Sequence, residues 1–152
     1  MDDLKHYKNT FKEIVKDIIN TNVTYKNQKY QDIVSYEKRC EDSTRLCIKY
    51  FGHVPVIVNC FNPEIQIKKN KFLVPKEVSG SRLIVSIRSQ LVLNSNTAIF
   101  MFIDNMLFEH SKTVGEIYEY YMCNKQDKKD KYMYIDVTLE NTFGNFKSLK
   151  SY

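Results

Sequence analysis

At His53 the hydrophobic period of the chain changes, and that change limits what the chain can fold into. Before it, apolar residues recur in steps of three and four, the spacing of a helix face. After it, "HVPVIVNC" is β-branched, with Val54, Val56 and Val58 on one side of a strand. A chain of helices followed by strands belongs to the α+β class. At 152 residues it is long enough for one domain with its own core.

Upstream of the change, residues 3–20 carry a stripe of Leu4, Tyr7, Phe11, Ile14, Val15, Ile18 and Ile19. This predicts an amphipathic helix, with Asp2 or Asp3 as its cap. "TNVTYKNQKYQD" is polar and reads as a linker. A second, basic helix is predicted over 35–50, with Tyr36, Cys40, Leu46 or Cys47, and Tyr50 on its apolar side.

Downstream, "KFLVP" is a strand stopped by Pro75, and "SRLIVSIRSQL" returns to helical spacing with Ser79 or Ser81 as cap. "AIFMFID" is a strand, Asp104-Asn105 a turn and "MLF" a short return strand. Thr113 with Glu116 three residues on is a capping box for a short helix. "NKQDKKDK" is a charged loop, and "YMYIDVT" a last strand of period two. The last strand enters the sheet most simply beside the first, and a helix crosses one face of the sheet. This is the ubiquitin-like β-grasp order.

Little in the chain suggests enzyme chemistry. His6, His53 and His110 are scattered and lie beside no obvious nucleophile. Gly80 belongs to an ordinary loop, and Glu41-Asp42 fits a solvated helix face. Cys40, Cys47, Cys60 and Cys123 lack zinc-ligand spacing and read as reduced thiols of a cytosolic protein. The N-terminus does not resemble a signal peptide, and no apolar run is long enough to span a bilayer, so membrane contact is expected to be peripheral or covalent. Net charge is +5, a bias toward acidic partners. "KNQKYQ" and "KKNKF" mix lysines with aromatics, but these fall at core periods, so nucleic acid is not expected as a partner. "KFLVP" is a better candidate. Its proline marks a sheet edge, Lys69 and Lys71 would attract an acidic peptide, and an added strand would gain main-chain hydrogen bonds.

The segments "YEKRCEDSTRLCIKYFGHVPVIV", "KFLVP", "AIFMFIDN", "TVGEIYEYY" and "YMYIDVTLENTFG" together resemble the GABARAP-like and light-chain-like autophagy modifiers, from Tyr36 to Gly144. The family is ubiquitin-like, with two added N-terminal helices. The resemblance implies three parts: an extension over 1–34, a ubiquitin-like domain over 35–144 and a tail over 145–152. It also gives a role to Gly144, one of four glycines, which local sequence alone makes a turn or strand end. In the family a cysteine protease removes the residues beyond an aromatic-glycine pair. The glycine carboxylate then passes through an adenylate and enzyme thioesters to an amide on phosphatidylethanolamine. Phe143-Gly144 matches that processing site.

The implied protein is a non-enzymatic modifier, cytoplasmic and on autophagosome or other organelle membranes, acting as a monomeric adaptor in autophagosome formation and cargo selection. Its partners are the protease, activating and conjugating enzymes, and receptor motifs with an aromatic and, three on, an aliphatic residue. No cofactor, catalytic residue or metal ligand is implied. The positions matching the family's aromatic pocket are Asp42, Leu46, Pro55, Ile57, Lys71, Leu73 and Tyr132. Those matching the aliphatic pocket are Phe72, Val74, Pro75, Val78, Leu83 and Ser86. Ser86 departs from the aliphatic residue usual there, His53 from an arginine and Phe108-Glu109 from a Pro-Pro pair. The alternative role is a divergent member that binds peptides or membranes without conjugation, or serves organelle maintenance.

Overall fold

The structure, a computed structural model, describes residues 29–60, 62, 65–93 and 97–139. The helix expected over 3–20 and the Phe143-Gly144 pair lie outside these residues. Among the described residues two helices come first, α1 (Tyr30–Ile33) and α2 (Tyr36–Lys49). Strands β1 (His53–Cys60), β2 (Gln66–Ile67) and β3 (Lys71–Pro75) lead to α3 (Gly80–Gln90). Then come β4 (Leu91–Val92), β5 (Ile99–Ile103), β6 (Met106–Leu107), α4 (Val114–Asn124) and β7 (Met133–Leu139).

The main sheet has the order β3-β1-β7-β5-β6. β7 lies parallel beside β1, with Val56 opposite Met133, as the sequence predicts. β3 runs antiparallel to β1, with Leu73 opposite Pro55, and is an outer strand among the described residues. A two-residue ladder of β2 and β4, with Ile67 opposite Leu91, was not visible in the sequence. It shortens the predicted third helix, because Leu91 belongs to β4 rather than to the helix.

Local signals set the element ends. The Ser79 hydroxyl accepts from the Arg82 N–H, which settles the cap of α3. Thr113 and Glu116 make the predicted capping box, with bonds of 2.9 and 3.2 Å. Asp104 and Asn105 take φ of 49° and 63°, the left-handed pair of a two-residue hairpin turn, which asparagine and aspartate tolerate. Gly80 is needed for a close approach, since a Cβ there would lie 2.5 Å from the Glu109 carbonyl oxygen.

Alternation along the strands sorts side chains to two faces. Val54, Val56, Val58, Met133, Ile135 and Val137 pack with Leu83 and Ile87 of α3 and Val114 and Tyr121 of α4. On the other face, Ile57 and Tyr132 pack with Tyr30, Leu46 and Tyr50. Helices therefore cover both faces, not one. The segment expected to be a linker ends in α1, and Tyr30 is 3% exposed. Its anchor is tertiary, which is why a polar local sequence concealed it. Tyr36 likewise leaves the predicted apolar side of α2, and its hydroxyl donates to Asp127 at 2.9 Å.

Candidate functional site at the outer strand

The two predicted pocket sets fall on opposite faces of β3, except that Pro75 shares the face of Lys71 and Leu73 by alternation. Toward α2, Leu46, Pro55, Ile57, Lys71 and Tyr132 are buried, while Leu73 and Asp42 are partly exposed. Asp42 pairs with Lys38 at 3.3 Å. Toward α3, Val74 and Leu83 are buried, Phe72 and Val78 partly so, and Ser86 is exposed, while Pro75 is exposed at the end of β3. The Ser86 hydroxyl donates to the Arg82 carbonyl at 3.0 Å, so this polar residue satisfies itself on its own helix.

Lys71 does not stand out from the edge as a lure for an acidic peptide, as expected from the sequence. It is 5% exposed, and its Nζ lies 5.5 Å from the Tyr30 ring and 5.4 Å from the Tyr132 ring. Alternation puts it on the same face as Leu73, under α1, where two ring faces stabilise its charge. Lys69 is half-buried, its Nζ 5.4 Å from the Phe72 ring, and burial pulls its pKa down.

Tyr30 completes the aromatic face and was missed from the sequence. Its ring meets Tyr132 edge-on at 5.8 Å, and Tyr132 meets Tyr134 at 6.2 Å. Burial pushes the Tyr132 and Tyr134 hydroxyls well above the ordinary tyrosine range. The only sequence hint was spacing: Tyr30, Ile33 and Val34 sit at three and four.

A polar hub holds this layer in place. Buried Asp130 accepts from Arg39 Nε at 3.1 Å, the Tyr134 hydroxyl at 2.5 Å and the Tyr132 N–H at 3.1 Å. Arg39 Nη1 also donates to the Gln31 and Val34 carbonyls at 2.7 and 2.8 Å, which satisfies the end of α1. Asn59 accepts from the Tyr30 N–H at 3.0 Å and donates to Gln31 at 3.0 Å. Among the described residues no three His, Cys, Asp or Glu side chains converge as a metal site.

A β-grasp sheet with two helices added before its first strand defines a ubiquitin-like protein. The family described as "Autophagy protein Atg8 ubiquitin like" matches residues 38–144. Autophagy-related protein 8D of Oryza sativa subsp. japonica is 32% identical over 123 residues, covering 78% of this chain and 99% of its own. Autophagy-related protein 8 of Schizosaccharomyces pombe is 33% identical, covering 76% and 93%. Two solved structures share the fold. Trypanosoma brucei ATG8 has a TM-score of 0.63 at 23% identity, covering 76% of this chain and 97% of its own. Plasmodium falciparum Atg8, solved with a Plasmodium falciparum Atg3 peptide, has 0.62 at 24%, covering 73% and 95%. The chain belongs to the Atg8 family, and so to the ubiquitin-like proteins of autophagy rather than to the enzymes.

Proposed function

We propose that this chain is cut after Gly144, joined through it to phosphatidylethanolamine, and serves as a membrane-bound adaptor for aromatic-x-x-aliphatic motifs. One observation carries the adaptor role: Lys71 and Leu73 of one set and Phe72 and Val74 of the other lie on the two faces of an outer strand. In an extended peptide, residues three apart point to opposite sides. A peptide paired with β3 would therefore send its aromatic residue toward Leu73 and α2, and its aliphatic residue toward Val74 and α3. Main-chain hydrogen bonds supply affinity, and the two faces supply selection. Such a peptide with acidic flanks is expected to bind at micromolar strength, on the order of −8 kcal/mol. Leu73→Asp puts a charged carboxylate into the apolar layer that Leu73 packs against, and is expected to weaken binding several-fold to about a hundredfold. Equal binding of both proteins in titration calorimetry would remove the site.

Conjugation is supported by the family match, which ends at Gly144. The missing Cβ suits a terminus that must pass extended through narrow active sites. Partners of this cycle are the processing protease and the activating and conjugating enzymes. The Atg3 peptide on the Plasmodium relative supports an Atg3-type partner. Among the described residues no helix is long and apolar enough to cross a membrane, so conjugation would be the route to autophagosome membranes. With cognate enzymes and phosphatidylethanolamine liposomes, a chain ending at Gly144 is expected to gain the mass of the lipid without the protease. One ending at Phe143 is not, and its normal lipidation would reduce Gly144 to a turn residue. In native cells, a chain found only at full length would favour the unconjugated peptide- or membrane-binding role.

A further inference from the structure

We propose that residues 3–20 fold back as an amphipathic helix into the apolar cleft between β6 and α4. The cleft, of about 200 Å³, is walled by Ile103, Met106, Leu107, Phe108, Ile117 and Tyr120. Three of these stand well into solvent: Met106 is 52% exposed, Leu107 60% and Tyr120 59%. A patch of this kind on a single domain marks a surface that something covers.

The path of the chain names the occupant. Tyr30 is fixed over β1, its N–H bonded to Asn59. One residue earlier, Lys29 lines a polar pocket with Asp136 of β7 and with Asp104 and Asn105 of the β5–β6 turn. Gln31, on the other side of Tyr30, lines the same pocket, so the start of the described chain lies on the β7 and β5–β6 side of Tyr30, away from β3. That polar pocket shares Asp104 and Tyr121 with the apolar cleft, so residues before Lys29 begin next to it. Residues 21–28 can span about 25 Å at ~3.3 Å each, ample for an adjacent cleft.

The segment also suits the cleft chemically. Its stripe of Leu4, Tyr7, Phe11, Ile14, Val15 and Ile18 supplies the apolar face. Lys5, Lys8, Lys12 and Lys16 follow the same spacing and line one flank of that face. Asp104 and Glu109 stand exposed at the cleft, and Glu109 also meets Lys112 at 3.0 Å. Docking would bury the stripe against Leu107 and Tyr120 with lysines beside these carboxylates.

Hydrogen exchange by mass spectrometry on the full chain tests this. Phe11→Asp is expected to speed exchange about tenfold or more in 103–108 and 114–121, with 71–75 unchanged. Reciprocally, Leu107→Glu, at an exposed position that leaves the core intact, is expected to speed exchange across 4–19. The proposal is overturned if neither variant changes the facing segment. It is also overturned if the Phe11→Asp effect falls on 71–75, which would make the helix a cover for the β3 groove. Protection of 4–19 that rises with protein concentration would assign the cleft to a second copy instead.

Discussion

The two faces of the sheet are held by different physics. Against α3 and α4 the layer is mostly aliphatic, with Val54, Val56, Val58, Ile135, Val137, Leu83 and Ile87 at its centre. Against α1 and α2 it is tyrosines around a buried lysine, with Asp130 and Asn59 buried beside them. Aliphatic packing has no direction, so it scales with area and tolerates small shifts. A buried polar layer depends on the geometry of its hydrogen bonds, and each bond lost leaves a desolvated partner behind. The proposed peptide edge lies where the two layers meet, at β3. One side of it is a general apolar surface, and the other is a shaped aromatic wall whose geometry depends on the hub.

Breaking each layer once should separate them. The largest effect is expected from Asp130→Ala. It leaves the Arg39 guanidinium, only 13% exposed, without its carboxylate, and removes the acceptor of the Tyr134 hydroxyl and Tyr132 N–H. A loss of about 4 kcal/mol is expected in urea unfolding. Adding Arg39→Met should recover part of it, since the uncompensated charge then goes too. A loss below about 1 kcal/mol would mean that the polar layer is solvated rather than buried. Next comes Ile87→Ala in the aliphatic layer, fully buried in α3. A loss of about 3 kcal/mol is expected from transfer and cavity terms, with peptide affinity at the aromatic side unchanged.

The aliphatic layer was legible in the sequence, and most of the polar one was not. Val54, Val56 and Val58 announce their face by alternation, and Leu83 and Ile87 by helical spacing. Ser79, Thr113 and Asp104-Asn105 act within a few residues, so local reading found them. The strand order followed because β7 had one natural place, beside β1. Asp130 sits in a run of charges and looks solvated, yet it is bound by Arg39, 91 residues away. Tyr30 lay in a polar stretch for the same reason. The resemblance supplied the pocket positions, but it said nothing of Tyr30 closing over Lys71. The two-residue strands β2 and β4 are too short to show a period at all.

The smallest effect sharpens the contrast through pH. Asp136 shares a face with Tyr134 and Tyr132 by alternation, and Asn59 Nδ2 lies 3.4 Å from its Oδ1. Burial pushes its carboxyl above the usual aspartate range, against the charge of Lys29 and the Asn59 hydrogen bond, which pull it down. A raised folded pKa means that the folded state holds the proton more firmly than the unfolded one. Its stabilising contribution is complete below the ordinary aspartate value of about 4, and is lost as pH rises through the raised value. Asp136→Asn stays neutral throughout and still offers Asn59 an oxygen. The variant is expected to exceed the native chain by a fraction of a kcal/mol to about 1 kcal/mol at neutral pH. The gap should close as pH falls toward about 4. Urea midpoints along that range decide it. A gap that does not change with pH would assign the gain to packing, and would make this corner of the polar layer behave like the aliphatic face.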